Sequence, residues 1–318
     1  MAEILCVRFN QDVKCAAIGT TRGFQIFSTD PFTPRFHRDW GEGIGIVEIL
    51  NRSNFVVLCG GGPKPKFPLN KIVVWDDYRA TLMAELEFKS PIRNLQIRDE
   101  ILVAVIEKEI CVYQFNSLTM LTIIYTLPNP LGLCEIGTQG SPIILACPGV
   151  EPGDLYLGEV STQTATLAPR IIAAHHAPIN CLGVSADGQY VASASQKGTI
   201  IRVWKTIYNG KDIPLEFRRG HRNALIKSLA FSPDHELLAV ISNTGTIHMF
   251  DLQAPTRSRA FLKIKTGFNN AVIAFGPNPG TLIVISYTGV WSRYSFHKDI
   301  MTHLWTCQPS ELSVPFKP

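Results

Sequence analysis

Two stretches of this chain repeat at one fixed distance, and that distance constrains the fold more than any other feature. Ile179 to Gly188 (INCLGVSADG) aligns with Ile226 to His235 (IKSLAFSPDH), and Ala194 to Thr199 (ASQKGT) aligns with Ile241 to Thr246 (ISNTGT). The offset is constant, since 226 − 179 = 47 and 245 − 198 = 47. A weaker copy runs from Val7-Arg8-Phe9-Asn10-Gln11-Asp12 to Gly23-Phe24-Gln25-Ile26-Phe27, and another from Ala274-Phe275-Gly276-Pro277-Asn278 to Gly289. Each reads strand, turn, strand, glycine turn, strand, and a period in the forties with that content is the signature of a propeller blade. The Gly-Thr turn needs glycine because the hairpin there demands a positive φ. At about 45 residues per blade, 318 residues make seven blades. The expected architecture is all-β, a seven-bladed β-propeller forming a single domain over 1–318. Its blades are expected near 4–30, 44–88, 91–126, 130–170, 171–217, 221–265 and 268–307.

Short β-branched runs bounded by turn residues agree with this, among them Val56-Val57-Leu58-Cys59, Ile72-Val73-Val74-Trp75 and Leu282-Ile283-Val284-Ile285. A hydrophobic fraction of 46% excludes disorder for most of the chain. No apolar run approaches the ~20 residues of a membrane span. The start, Met1-Ala2-Glu3-Ile4-Leu5-Cys6, lacks a basic region followed by a long apolar one, so a cytosolic protein is expected. The eight cysteines include no C-x-x-C pair and sit among apolar residues, which reads as reduced core thiols. No ligand cluster at metal spacing occurs, and no cofactor is expected.

Charge is concentrated. Residues 197–227 carry Lys197, Arg202, Lys205, Lys211, Arg218, Arg219, Arg222 and Lys227 against only Asp212 and Glu216, giving +6 in 31 residues and −2 in the other 287. A second cluster, Arg257, Arg259, Lys263 and Lys265, has no acid among it. Such a belt points to an anionic partner on one side of the molecule.

Phe217-Arg218-Arg219-Gly220 lies between the two clearest copies of the repeat. Beside that repeat, the tetrapeptide resembles the L/F-R-R-G motif of the PROPPINs, β-propellers that bind polyphosphoinositides. Gly60 to Pro68 followed by Asn70 to Asp77 resembles the family's second blade, Asn129 to Cys134 its fourth, and Ala192 to Val203 its fifth. The N-terminal half looks most like the shorter members of the phosphoinositide-interacting WD-repeat group. The resemblance implies a non-enzymatic adaptor of autophagy that recognises phosphatidylinositol 3-phosphate and phosphatidylinositol 3,5-bisphosphate. It implies recruitment to preautophagosomal, endosomal or vacuolar/lysosomal membranes and a link to the bridge-like autophagic lipid-transfer protein. A monomer is expected.

The chemistry fits independently. Guanidinium groups present fork-shaped donors to phosphate oxygens, and two adjacent arginines in an extended chain point to opposite sides. Carried over residue by residue, the first lipid site takes His175, Ser195, Lys197, Thr199 and Arg218. The second takes Arg219, Ser242, Thr246 and His248, with His221 and Arg222 on the linking turn. Both Arg218 and Arg219 are expected to be exposed. Three features depart from the family pattern. Thr244 stands where a basic residue is common, and His221-Arg222 replaces a small-plus-polar pair. The loop after Phe250 is short: the next strand is expected about Ala260, with Leu252 and Ala254 left to insert into a bilayer and Arg257 and Arg259 to touch anionic lipid. A protein partner is expected on the first three blades, with Asn10 and Asp12 on an acidic-tipped turn.

Plainer readings stand beside these. His175 could be the histidine that ties turns together in WD-repeat blades, Asn10-Gln11-Asp12 a hairpin turn, and Trp75-Asp76 a structural WD signature. A generic WD-repeat scaffold with a basic surface for an acidic protein is the rival function. Nucleic acid is not expected, because the belt lacks interleaved aromatics for base stacking. An enzyme is disfavoured: G-x-S-x-G fails at Gly183-Val184-Ser185-Ala186-Asp187, and no phosphate-cradling loop precedes a helix.

Overall fold

The computed structural model describes residues 2–140, 142–161, 169–207, 213–254, 258–297 and 300–307, and among them there is strand and turn but no helix. Seven antiparallel sheets of four strands follow one another along the chain as the blades of a β-propeller. They span 4–39, 44–87, 94–125, 135–173, 179–218, 226–265 and 271–307. The repeat is visible in the strands themselves. Ile179–Val184 and Tyr190–Ser195 of blade five recur as Ile226–Phe231 and Leu237–Ser242 of blade six, each displaced by 47 residues. Both first strands carry a bulge at their second residue. The turns match too: Ser185 Oγ donates to Asp187 and accepts from the Tyr190 N–H at 2.9 Å, and Ser232 does the same with Asp234 and the Leu237 N–H.

Blade one runs past the expected limit of 30, because its outer strand Phe32–Asp39 belongs to the sheet. Pro34 and a run of exposed residues break the alternation there, and the pairing slips by one residue between Ile26 and Phe27. Blade five likewise begins at Ile179, eight residues beyond 171, after a connection that carries His175.

Each sheet is covered on both faces. Leu102 and Ala104 of blade three pack into the cluster shared with blade two, whereas Ile101, Val103 and Val105 of the same strand pack towards blade four. Ile101–Val105 is therefore a continuous apolar run rather than an alternating one. The eight cysteines are free, and seven are buried in such seams.

The innermost strands line a central channel of about 290 Å³. Arg8 of blade one spans it, with Nε 3.3 Å from Glu48 of blade two and Nη2 2.5 Å from Asn94 Oδ1 of blade three. Burial pushes the Glu48 carboxyl up to about 8, although Arg8 opposes the shift.

Among the described residues no strand crosses the seam between blade one and blade seven, and side chains join the two blades there. Phe32 lies 4.4 Å from Trp291 and 5.6 Å from Trp305 between ring centroids, and Phe27 stacks on Phe32. Beside the rings, Asp30 accepts two bonds from Arg293, at 2.8 and 3.0 Å, and a third from Asn278. Replacing Asp30 by Ala would strand a mostly buried guanidinium. We expect a loss of about 2 kcal/mol, measured as a lower urea midpoint; an unchanged midpoint would mean that the aromatic packing alone closes the ring.

Candidate functional site

Phe217 fixes the geometry of the arginine motif. It ends in the seam between blades five and six, fully buried and 5.2 Å from the Phe250 ring. In an extended strand its neighbour must face the other way, so Arg218 turns to the face bearing Ile200, Arg202 and Glu216, and Arg219 turns back towards blade six. Arg218 is exposed. Arg219, expected to be exposed, is 8% exposed. Its N–H donates to the Thr199 carbonyl at 2.9 Å, its Nε to the Gly198 carbonyl at 2.8 Å, and its Nη2 to the Arg222 carbonyl. Burial lowers the pKa of this guanidinium. The sequence pattern could not distinguish a recognition arginine from one that also holds the chain.

These bonds lace the motif to the glycine turn of blade five. Ser195, Lys197 and Thr199 all lie on that turn, and the Lys197 carbonyl accepts from the Ala224 N–H at 3.2 Å. Gly198 has φ +57, and a Cβ there would sit 1.9 Å from the Ala224 carbonyl oxygen. Only glycine allows the approach. Ser195 is buried, Thr199 half-buried and Lys197 exposed.

His175 enters from the connection between blades four and five. Its Nε2 lies 2.9 Å from Ser193 Oγ, which also accepts from Trp204 Nε1 at 3.0 Å. Ser193 sits two residues before Ser195 on one strand face, roughly 7 Å away. Arg202 frames the ring, donating to the Ala174 carbonyl at 2.6 Å and to Glu216 at 2.7 Å. Burial first, and Arg202 second, push the imidazole down to about 4. His175 is thus bonded to the second strand of blade five and is neutral near pH 7. Ser193, which bonds the ring, and Trp204, which bonds Ser193, carry no signal in the sequence, and Arg202 stands there only as a charge of the basic belt.

On blade six, His248 is 5% exposed and its Nδ1 has no hydrogen-bond partner among the described residues. Burial, then Lys263 and Arg219, push it down to about 4. Strand register sets Lys263 opposite His248 and Lys265 opposite Thr246. Two exposed lysines therefore join the candidate second site, a placement that only the pairing of Leu262–Lys265 reveals. Ser242 is fully buried, its hydroxyl 2.8 Å from that of Thr244. His221 and Arg222 are exposed on the linking turn. Among the described residues, Lys197, Arg218, Arg222, Arg259, Lys263 and Lys265 form no ion pair. Lys211 and Arg257 lie outside the described residues.

Three other expectations change. Leu252 is buried in the seam between blades five and six and is not available to a bilayer. The strand after the loop begins at Leu262, not Ala260. On blade one Asn10, expected on a partner-binding turn, is buried instead: its amide donates to the Asn51 carbonyl at 2.7 Å and accepts from the Cys15 N–H at 2.9 Å. Asp12 is exposed but paired with Lys14 at 3.7 Å and Arg52 at 3.6 Å.

The model of the PROPPIN family matches residues 3–266. The chain belongs to the PROPPIN family. SVP1-like protein 2 of Pichia angusta is 35% identical over 300 residues, 93% of this chain and 81% of that protein. Autophagy-related protein 18e of Arabidopsis thaliana is 34% identical over 273 residues, 82% of this chain and 71% of that one. Among solved structures, a complex of KlAtg21 with the coiled coil of AgAtg16 matches with TM-score 0.83 and 26% identity, covering 97% of this chain and 99% of that chain. Kluyveromyces lactis Hsv2 matches with TM-score 0.82 at 20% identity over the same shares. PROPPIN membership supports a phosphoinositide-binding role in autophagy on a non-enzymatic scaffold, recruited to membranes peripherally.

The two depressed histidines make a stability prediction. Unfolded, each protonates near 6.5; folded, each stays neutral to about 4. The unfolded chain therefore gains protons first as pH falls, and their contribution, complete above 6.5, is lost progressively towards 4. For His248→Gln we expect a shallower loss of urea stability between pH 7 and 5 than in the wild type. Equal slopes would show that His248 titrates normally.

Proposed function

We propose that this PROPPIN is a membrane-recruited adaptor that recognises phosphatidylinositol 3-phosphate and phosphatidylinositol 3,5-bisphosphate through two adjoining sites on either side of Phe217–Gly220. The carrying observation is Arg218, an exposed guanidinium with no carboxylate partner among the described residues, held beside the Lys197 turn by bonds from the next residue. The first site is Arg218, Lys197, Thr199 and Ser195, with neutral His175 bracing its floor. The second is formed by Arg219, His248, Thr246 and Ser242, with His221 and Arg222 at its rim and Lys263 and Lys265 adding charge. Phosphate oxygens suit such donors, and charge-assisted bonds of this kind are the strong ones. A generic scaffold for an acidic protein would need the same belt without headgroup selectivity.

Arg218→Thr should lower binding to vesicles bearing either 3-phosphoinositide about tenfold while the urea midpoint stays unchanged. Flotation against phosphatidylserine vesicles provides the control. Binding at wild-type strength, or equal loss on phosphatidylserine, would overturn the reading. A variant changing both arginines is less informative, because Arg219 also holds the turn.

The sites occupy blades five and six, which leaves the other blades free for protein partners and suits recruitment to preautophagosomal, endosomal or vacuolar membranes. The bridge-like lipid-transfer protein is the partner we propose, through the turn bearing Asp12. Reversing that charge with Asp12→Arg should weaken its capture in pull-down and spare vesicle binding; undiminished capture would place the partner elsewhere.

A further inference from the structure

Ahead of the fourth strand of blade six, Ser258 and Arg259 lie against the motif. Arg218 N–H donates to the Ser258 carbonyl at 2.7 Å, and Arg218 and Arg259 form a parallel β-bridge outside the named strands. Paired residues of neighbouring strands stand roughly 4.8 Å apart with side chains on one face. Phe217 has already committed that face: Arg218, and hence Arg259 beside it, lie on the side of the first site. Both are exposed. Like charges placed side by side across a pairing destabilise it, and neither arginine has a carboxylate among the described residues. Glu216, two residues back on the same face, is taken by Arg202 at 2.7 Å. This pairing thus brings a second uncompensated guanidinium to a site that already has one.

Charge counting separates one ligand from another. A phosphomonoester carries between one and two negative charges near neutral pH. Lys197 and Arg218 suffice for it, and His175 is neutral there. Arg259 is surplus for one phosphate and matched to two. We propose that Arg259 is a phosphate-binding residue of the first site, and that the Arg218–Arg259 pair selects an inositol ring bearing two phosphates over a ring bearing one. This rests on the lipid reading given above and assigns the bisphosphate preference to a residue outside the Phe217–Gly220 motif and the glycine turn.

The test uses the whole chain with vesicles containing phosphatidylinositol 3-phosphate, phosphatidylinositol 3,5-bisphosphate or phosphatidylserine, matched for total charge. Soluble inositol 1,3,5-trisphosphate in calorimetry removes the membrane. Arg259→Ala should weaken binding to the bisphosphate vesicles and to the soluble headgroup about tenfold, with binding to the monophosphate within about twofold of wild type. Arg259→Lys should recover only part of the loss, since it keeps the charge but not the fork. Equal loss on all three vesicles would make Arg259 a general surface charge and overturn the proposal, as would no loss on the bisphosphate. Loss on vesicles alone, with the soluble headgroup bound normally, would also overturn it. Failure of the wild type to prefer either phosphoinositide over phosphatidylserine would instead remove the lipid reading itself, and the proposal with it.

Discussion

Burial of every sheet on both faces is the constraint from which the rest follows. A blade whose strands read Ile101-Leu102-Val103-Ala104-Val105 has no side to give to water, so it is stable only between two neighbours. Seven such blades must close, and among the described residues each blade keeps its own four strands at the last seam. The aromatic stack at Phe32 and the Asp30–Arg293 pair join blade one to blade seven. That closed frame lets the outer strand of blade five be positioned by one phenylalanine.

Phe217 links fold to recognition. Its burial dictates which way each arginine faces, and Arg219 then spends part of its guanidinium on the carbonyls of Gly198 and Arg222. The turn carrying Lys197 and the strand carrying Arg218 become one hydrogen-bonded unit. Preorganisation of this kind lowers the ordering cost of binding a flexible headgroup. Selectivity then depends on how many unpaired cations the unit gathers.

Much of this was legible in the residues. The offset of 47 between Ile179 and Ile226 survives as identical strand limits and identical bulges, because repeated turns such as Ser185-Ala186-Asp187 and Ser232-Pro233-Asp234 are local structures read from neighbouring side chains. What stayed hidden depends on distant pairing. The Asp30–Arg293 contact joins residues 263 apart. Lys263 reaches His248 only through register. Arg259 reaches Arg218 through a bridge between blades. The burial of Arg219 and Asn10 was hidden for the same reason: a polar residue type says nothing of which carbonyls will surround it. His175 admitted two readings in the sequence, and its bond to Ser193 is a contact that neither reading named.

The channel carboxylate and the outer histidines act on opposite flanks of one curve. Glu48 titrates near 4.5 in the unfolded chain and near 8 when folded, so it favours the native state in acid and ceases to as pH climbs past 8. His175 and His248 favour it above 6.5 and withdraw their support towards 4. The hub and the rim of the propeller therefore answer pH in opposite senses: the histidines withdraw support as acid rises, and the channel carboxylate withdraws it as pH climbs towards 8.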